Sequence, residues 1–151
     1  MAYQDLAAGA ARPALPPFDR TALRVNQACI VALVLIAFLL DLPLLAAFVA
    51  LVMALGTATP KLALFQRLYR DILLPRGVLK PDVHQEDPAP HRFAQGMGAA
   101  VLGLGVLALL AGAPQVGWAL ALLVVVLAAV NLVFGFCAGC FVYFQLARLR
   151  R

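Results

Sequence analysis

Three long apolar stretches dominate the chain, and the polar residues that interrupt them set the elements. From Val25 to Pro60 there is no Lys or Arg. A bilayer-spanning helix needs about 20 residues, so this run is too long for one span. Asp41-Leu42-Pro43 interrupts it. Proline breaks a helix, and a carboxylate at mid-bilayer costs roughly 2.5–3.5 kcal/mol. These three residues therefore predict a turn at a membrane face, joining spans over residues 25–40 and 44–57. A third span is predicted over 93–111, with a turn at Gly112-Ala113-Pro114-Gln115. A fourth runs over 116–144 and is over-long, so it should tilt or project. Trp118 and Tyr143 sit near its ends, as interfacial aromatics do.

Between the second and third spans the pattern changes. Leu62, Phe65, Leu68, Tyr69, Ile72 and Leu73 fall on one helical face, and Lys61, Arg67, Arg70 and Asp71 on the other. Thr59-Pro60 offers a cap and a proline at the first helical position. Residues 60–74 thus read as a basic amphipathic helix lying in the interface. Residues 75–92 form a polar, proline-broken loop. Residues 1–24 read as a flexible tail rich in Ala and Pro, with Asp19 or Thr21 as N-cap of the first helix. Residues 147–151 are a basic tail. The predicted fold class is all-α integral membrane. It is a four-helix transmembrane bundle of two hairpins, with a cytoplasmic interfacial amphipathic helix between spans 2 and 3.

Composition agrees. The 151 residues are 64% hydrophobic and 13% charged, against about 45–50% and 25% in soluble domains. That excludes an ordinary soluble fold, and the length suits one membrane domain. Of the 12 Lys and Arg residues, three precede the first span, six lie between the second and third, and three follow the fourth. None lies in either short turn. The positive-inside rule then places both termini and the central loop in the cytoplasm. Three cysteines in apolar runs do not form the disulfide framework of a secreted domain. The first 24 residues lack the apolar core of a cleavable signal peptide. No feature points to nucleic acid or to a bound cofactor, and a homo-oligomer is an open expectation.

The candidate chemistry centres on Cys137-Ala138-Gly139-Cys140. At i and i+3 of a helix the two sulfurs share a face. They could close a disulfide, share a metal or pass sulfur; the alternative is that they are small buried apolar groups. A thioredoxin-like site would need a βαβ context that is missing. Placed near a helix C-terminus, the pair would have its thiolate disfavoured by the dipole. Cys29 lies at a similar depth in the first span and is a candidate third thiol. Gly135-x-x-x-Gly139 reads as a close-approach motif, with Asn131 on its face. His84 and His91, with Glu86 and Asp87 nearby, are candidate metal ligands alongside Cys137 and Cys140.

Three stretches together carry a family resemblance: Leu23-Arg24-Val25-Asn26-Gln27-Ala28, Glu86 through Gly96 with Arg92-Phe93-Ala94-Gln95, and Asn131 through Tyr143 with the Cys-x-Gly-Cys pattern. The chain resembles the bacterial integral-membrane family known as domain of unknown function 4395. The resemblance covers nearly everything after the proline-rich tail. It implies the bacterial plasma membrane, and an association with thioredoxin-like or rhodanese-like sulfurtransferase proteins. It therefore favours a thiol-redox or sulfane-sulfur relay through Cys137 and Cys140, with Cys29 as a possible resolving thiol and the partner on the cytoplasmic side. A small transporter subunit for a sulfur compound or metal, and a structural adaptor, are the competing expectations. Whether the protein is an enzyme stays open at this point.

Overall fold

The computed structural model describes residues 15–150; residues 1–14 of the tail predicted over 1–24, with Arg12, and the terminal Arg151 lie outside them. The described chain is mostly helical. Its long helices are α1 (Arg20–Leu39), α2 (Pro43–Ala58), α4 (Ala89–Leu110) and α5 (Pro114–Phe134), followed by a shorter α6 (Ala138–Leu149); α3 (Leu64–Leu68) is a single turn and a half. Proline stands in the first turn of α2, α4 and α5, where its missing N–H has no intrahelical partner to lose.

The first turn is where the sequence predicted it. Asp41 takes a left-handed φ of 49°, and its carboxylate accepts the Trp118 indole N–H at 3.1 Å. That bond brings the α1–α2 turn and the start of α5 to one end of the bundle. Phe38 meets the Trp118 ring edge-on at the same end, with centroids 5.5 Å apart.

Around the bundle, α1 packs on α2 and α5, and α4 packs on α2 and α5, closing a ring of four; α6 lies against α4. Ile30, Val34, Val49, Leu102 and Val124 fill the centre. The outward faces are just as apolar, with Leu44 79% and Leu107 63% exposed. A surface of that kind belongs in lipid, not water. α1, α4 and α5 are each long and apolar enough to cross a membrane, and α2 is a shorter apolar helix of 16 residues. Since lipid tails are as apolar as these side chains, close packing and internal hydrogen bonds hold the helices together. Arg92 supplies one such bond, donating to the Thr57 carbonyl at 2.7 Å at the C-terminus of α2. Gln95 supplies another, donating to the Met53 carbonyl at 3.1 Å.

Three expectations are corrected. The amphipathic segment is not one helix. A 3₁₀ turn (Pro60–Leu62), α3 and a π-helical turn (Tyr69–Leu73) replace it, and only Phe65 and Tyr69 of the predicted apolar face are buried. A tertiary bond outweighs helix continuity here: the fully buried Tyr69 donates its hydroxyl to Asp19 Oδ2 at 2.9 Å. Second, residues 17–19 and 83–85, expected as tail and loop, pair as antiparallel strands β1 (Pro17–Asp19) and β2 (Val83–Gln85). Asp19 locks this junction. It caps α1 through the Thr21 N–H at 2.9 Å and accepts the Asp82 N–H at 3.1 Å. Third, the over-long fourth span is two helices. α5 stops at Phe134, Gly135 follows with φ 68°, and α6 begins anew at Ala138. Left-handed backbone of this sort favours glycine.

Candidate functional site

The break at Gly135 changes the chemistry expected of the cysteines. Cys137 is not in the last turn of a helix: it lies past the end of α5. Its extended backbone (φ −100°, ψ 102°) makes it the N-cap of α6, and its Sγ accepts the Cys140 N–H at 3.2 Å. Cys140 sits in the first turn. The pair is therefore at the positive end of a helix dipole, which favours a thiolate. The two residues are disulfide-bonded, with Cα atoms 5.2 Å apart. Gly135 and Gly139 do not form one helical close-approach face. Gly135 is the turn, whereas Gly139 seats α6 on α4: a Cβ there would fall 2.5 Å from Ala94 Cβ.

That seating delivers His91, from the first turn of α4, to the disulfide. His91 Nδ1 lies 3.5 Å from Cys140 Sγ, within reach of a hydrogen bond to sulfur. Its other nitrogen, Nε2, is 4.0 Å from Glu86 Oε2. Glu86 is in turn ion-paired to Arg20 at the start of α1. Phe18 of β1 stacks flat on the His91 ring, with centroids 5.0 Å apart and planes 6° apart. The result is a line of sulfur, imidazole and carboxylate, held by the strand pair and the two helix starts. It is the order in which a nucleophile or leaving group, a proton carrier and an orienting group are arranged in acid–base chemistry.

Donor atoms of His91, Cys137 and Cys140 all lie within 4.8 Å of one another. With the disulfide opened, two thiolates and an imidazole form a donor set suited to a soft or borderline ion such as zinc or copper(I). His84 is elsewhere: it is exposed on β2 and bonded to Asp82 at 2.7 Å. Cys29 is the free cysteine, half-buried against the core of α1, and is not part of the His91 cluster. Of the predicted site residues, the fold thus gathers Cys137, Cys140 and His91. The roles of Glu86, Arg20 and Phe18 were not legible beforehand. The Arg20–Glu86 pair joins positions 66 residues apart, and no local pattern announces it.

Two cavities meet at Cys137. The outer one, about 610 Å³, is lined by charged groups including Arg20, Arg24, Glu86 and Asp87, and by both cysteines. The inner one, about 240 Å³, is lined by apolar side chains with the amides Asn26, Gln27, Gln95 and Asn131, and by Cys137. Cys140 is buried, whereas Cys137 is partly exposed, so Cys137 is the sulfur that an incoming group meets.

The arrangement defines a helical protein with three helices able to cross a membrane and an oxidised Cys-x-x-Cys at a helix start. The chain belongs to the family described as Domain of unknown function (DUF4395), which matches residues 18–148. No curated protein and no solved structure matches it.

Proposed function

We propose that the protein is a membrane thiol–disulfide carrier, exchanging electrons or sulfane sulfur with a thioredoxin-like or rhodanese-like protein through Cys137 and Cys140. The observation that carries this reading is the disulfide at the start of α6 with His91 Nδ1 3.5 Å from Cys140. A donor thiolate entering the charged cleft attacks Cys137 Sγ. The S–S bond breaks, Cys140 leaves as a thiolate, and a proton from His91 neutralises it. The donor's second thiol then attacks the mixed disulfide and releases Cys137. Two donor thiols are oxidised to a disulfide, and the protein's disulfide is reduced to two thiols.

In this reading all four long helices cross the inner membrane. α2, at about 1.5 Å per residue, is about 24 Å long and is accommodated by local thinning. The basic loop and both termini face the cytoplasm, and the segment from Pro60 to Leu73 rests at the interface, with Leu62, Leu68 and Ile72 directed to lipid headgroups.

The test is a trapping experiment in native membranes. In the reverse direction Cys137 attacks an oxidised partner's disulfide and Cys140 resolves the adduct; in Cys140→Ser that thiol is gone, so a mixed disulfide with the physiological partner accumulates and disappears on reduction. Intact mass before and after reduction reports the state of the wild-type pair. If both cysteines stay unreactive towards a permeant maleimide after reduction, until the protein is denatured, the carrier reading is wrong.

A further inference from the structure

The inner cavity is a poor place for a soluble thiol. No Asp, Glu, Lys or Arg lines it. Its polar groups are neutral: four side-chain amides and the His91 imidazole. Asn26 is one of these lining amides and is only 3% exposed. Amides on an otherwise apolar wall are costly to desolvate unless they are hydrogen-bonded, so these four suit a ligand that accepts or donates hydrogen bonds. Met97, Leu127 and Val142 also line the cavity, and each is more than a third exposed on the outer apolar face. The cavity therefore opens sideways, toward the acyl chains. Cys137 lines it directly.

We infer that this cavity binds a lipid-soluble quinone, which exchanges two electrons with the Cys137–Cys140 pair. This rests on the carrier reading above. A quinone ring is flat and apolar, carries two carbonyl oxygens that accept hydrogen bonds, and reaches a site from the bilayer. Asn26, Gln95 and Asn131 offer the N–H donors. A lipid tail would need no amides, and a charged substrate would find no counter-ion. The redox balance is complete without another reactant. Two S–H bonds break and one S–S bond forms, giving up two electrons and two protons. The quinone takes both, its two carbonyl oxygens becoming the hydroxyls of the quinol. The two cavities then divide the labour: soluble thiols reach Cys137 through the charged cleft, and the membrane acceptor reaches it from lipid.

The experiment uses the full chain in lipid nanodiscs, reduced with dithiothreitol, desalted and kept anaerobic. The probe is a decyl-tailed dimethoxymethylbenzoquinone, whose fully substituted ring resists thiol addition. The expected result is one quinol formed per two thiols lost, and none with the Cys137→Ser/Cys140→Ser protein. Asn26→Leu should raise the half-saturating quinone concentration about tenfold, the effect of losing one buried hydrogen bond. Ala128→Leu, which fills the cavity without touching an amide, should do the same, and thermal unfolding checks that both variants fold. Reduced protein that re-forms its disulfide with oxidised glutathione but yields no quinol would overturn the quinone site while leaving the carrier reading in place. Identical quinone kinetics in wild type and both folded variants would also overturn it. A pair inert to dithiothreitol itself would sink both readings.

Discussion

His91→Phe is the substitution that most directly interrogates the site. A phenyl ring keeps the flat stack on Phe18, which has centroids 5.0 Å apart, and removes both ring nitrogens. What is lost, at pH values where the ring is protonated, is the proton and the positive charge that the imidazolium places 3.5 Å from Cys140 Sγ. At an effective dielectric of about 20, a unit charge at that distance stabilises a thiolate by roughly 5 kcal/mol. The Glu86 carboxylate at 4.0 Å from Nε2 and partial exposure of the ring (23%) reduce this. Taking about half, the leaving thiolate loses about 2.5 kcal/mol, or roughly 70-fold in rate. The helix dipole at the α6 start remains in the variant and contributes about 0.3–1 kcal/mol, so exchange should slow but not stop. The assay is the second-order rate of disulfide reduction by dithiothreitol as a function of pH, read by thiol titration in the same lipid environment. Wild type should show an imidazole inflection that His91→Phe lacks. Glu86→Gln should move the inflection to lower pH without abolishing it, because the carboxylate that stabilises the imidazolium is gone. A His91→Phe protein within threefold of wild type across the pH range, with its disulfide intact, would refute the proton role.

Two further outcomes follow from the fold. Gly139→Val introduces a Cβ only 2.5 Å from Ala94 Cβ, so α6 must lift from α4; thermal unfolding should show a loss of about 1–3 kcal/mol, and the disulfide should become more accessible to reductant. Burial, reinforced by the hydrogen bond and negative charge of Asp19, raises the Tyr69 hydroxyl above the ordinary tyrosine range. Its contribution is then fully present below pH about 10 and is lost as pH rises through the raised folded value. Wild type should therefore exceed Tyr69→Phe in stability by about 1 kcal/mol at pH 8, with the gap closing only in strong alkali, and phenolate absorbance that titrates at or below the ordinary tyrosine range would contradict it.

Hydropathy and turn chemistry settled much of this protein without coordinates. Lipid-compatible helices must satisfy their backbone internally and run about 20 residues, so the long apolar runs and the breaks at Asp41-Leu42-Pro43 and Gly112 to Gln115 could be read directly. The Cys-x-x-Cys was equally legible as the chain's main chemical feature, and so was the family. The break at Gly135 was not, although the excess length of residues 116–144 was its signal. An apolar run looks the same whether one helix or two pass through it, and a glycine inside it reads equally well as a packing surface or a left-handed turn. That one φ angle reversed the local dipole at the cysteines. Only the tertiary structure could bring His91 to Cys140, because Gly139 on Ala94 sets α6 against α4. Only it could place Glu86 and Phe18 on His91, because the β1–β2 pair joins segments more than 60 residues apart. Local pattern encodes where the chain enters and leaves an apolar phase; which polar groups meet at the boundary depends on packing between distant segments, which no window of sequence contains.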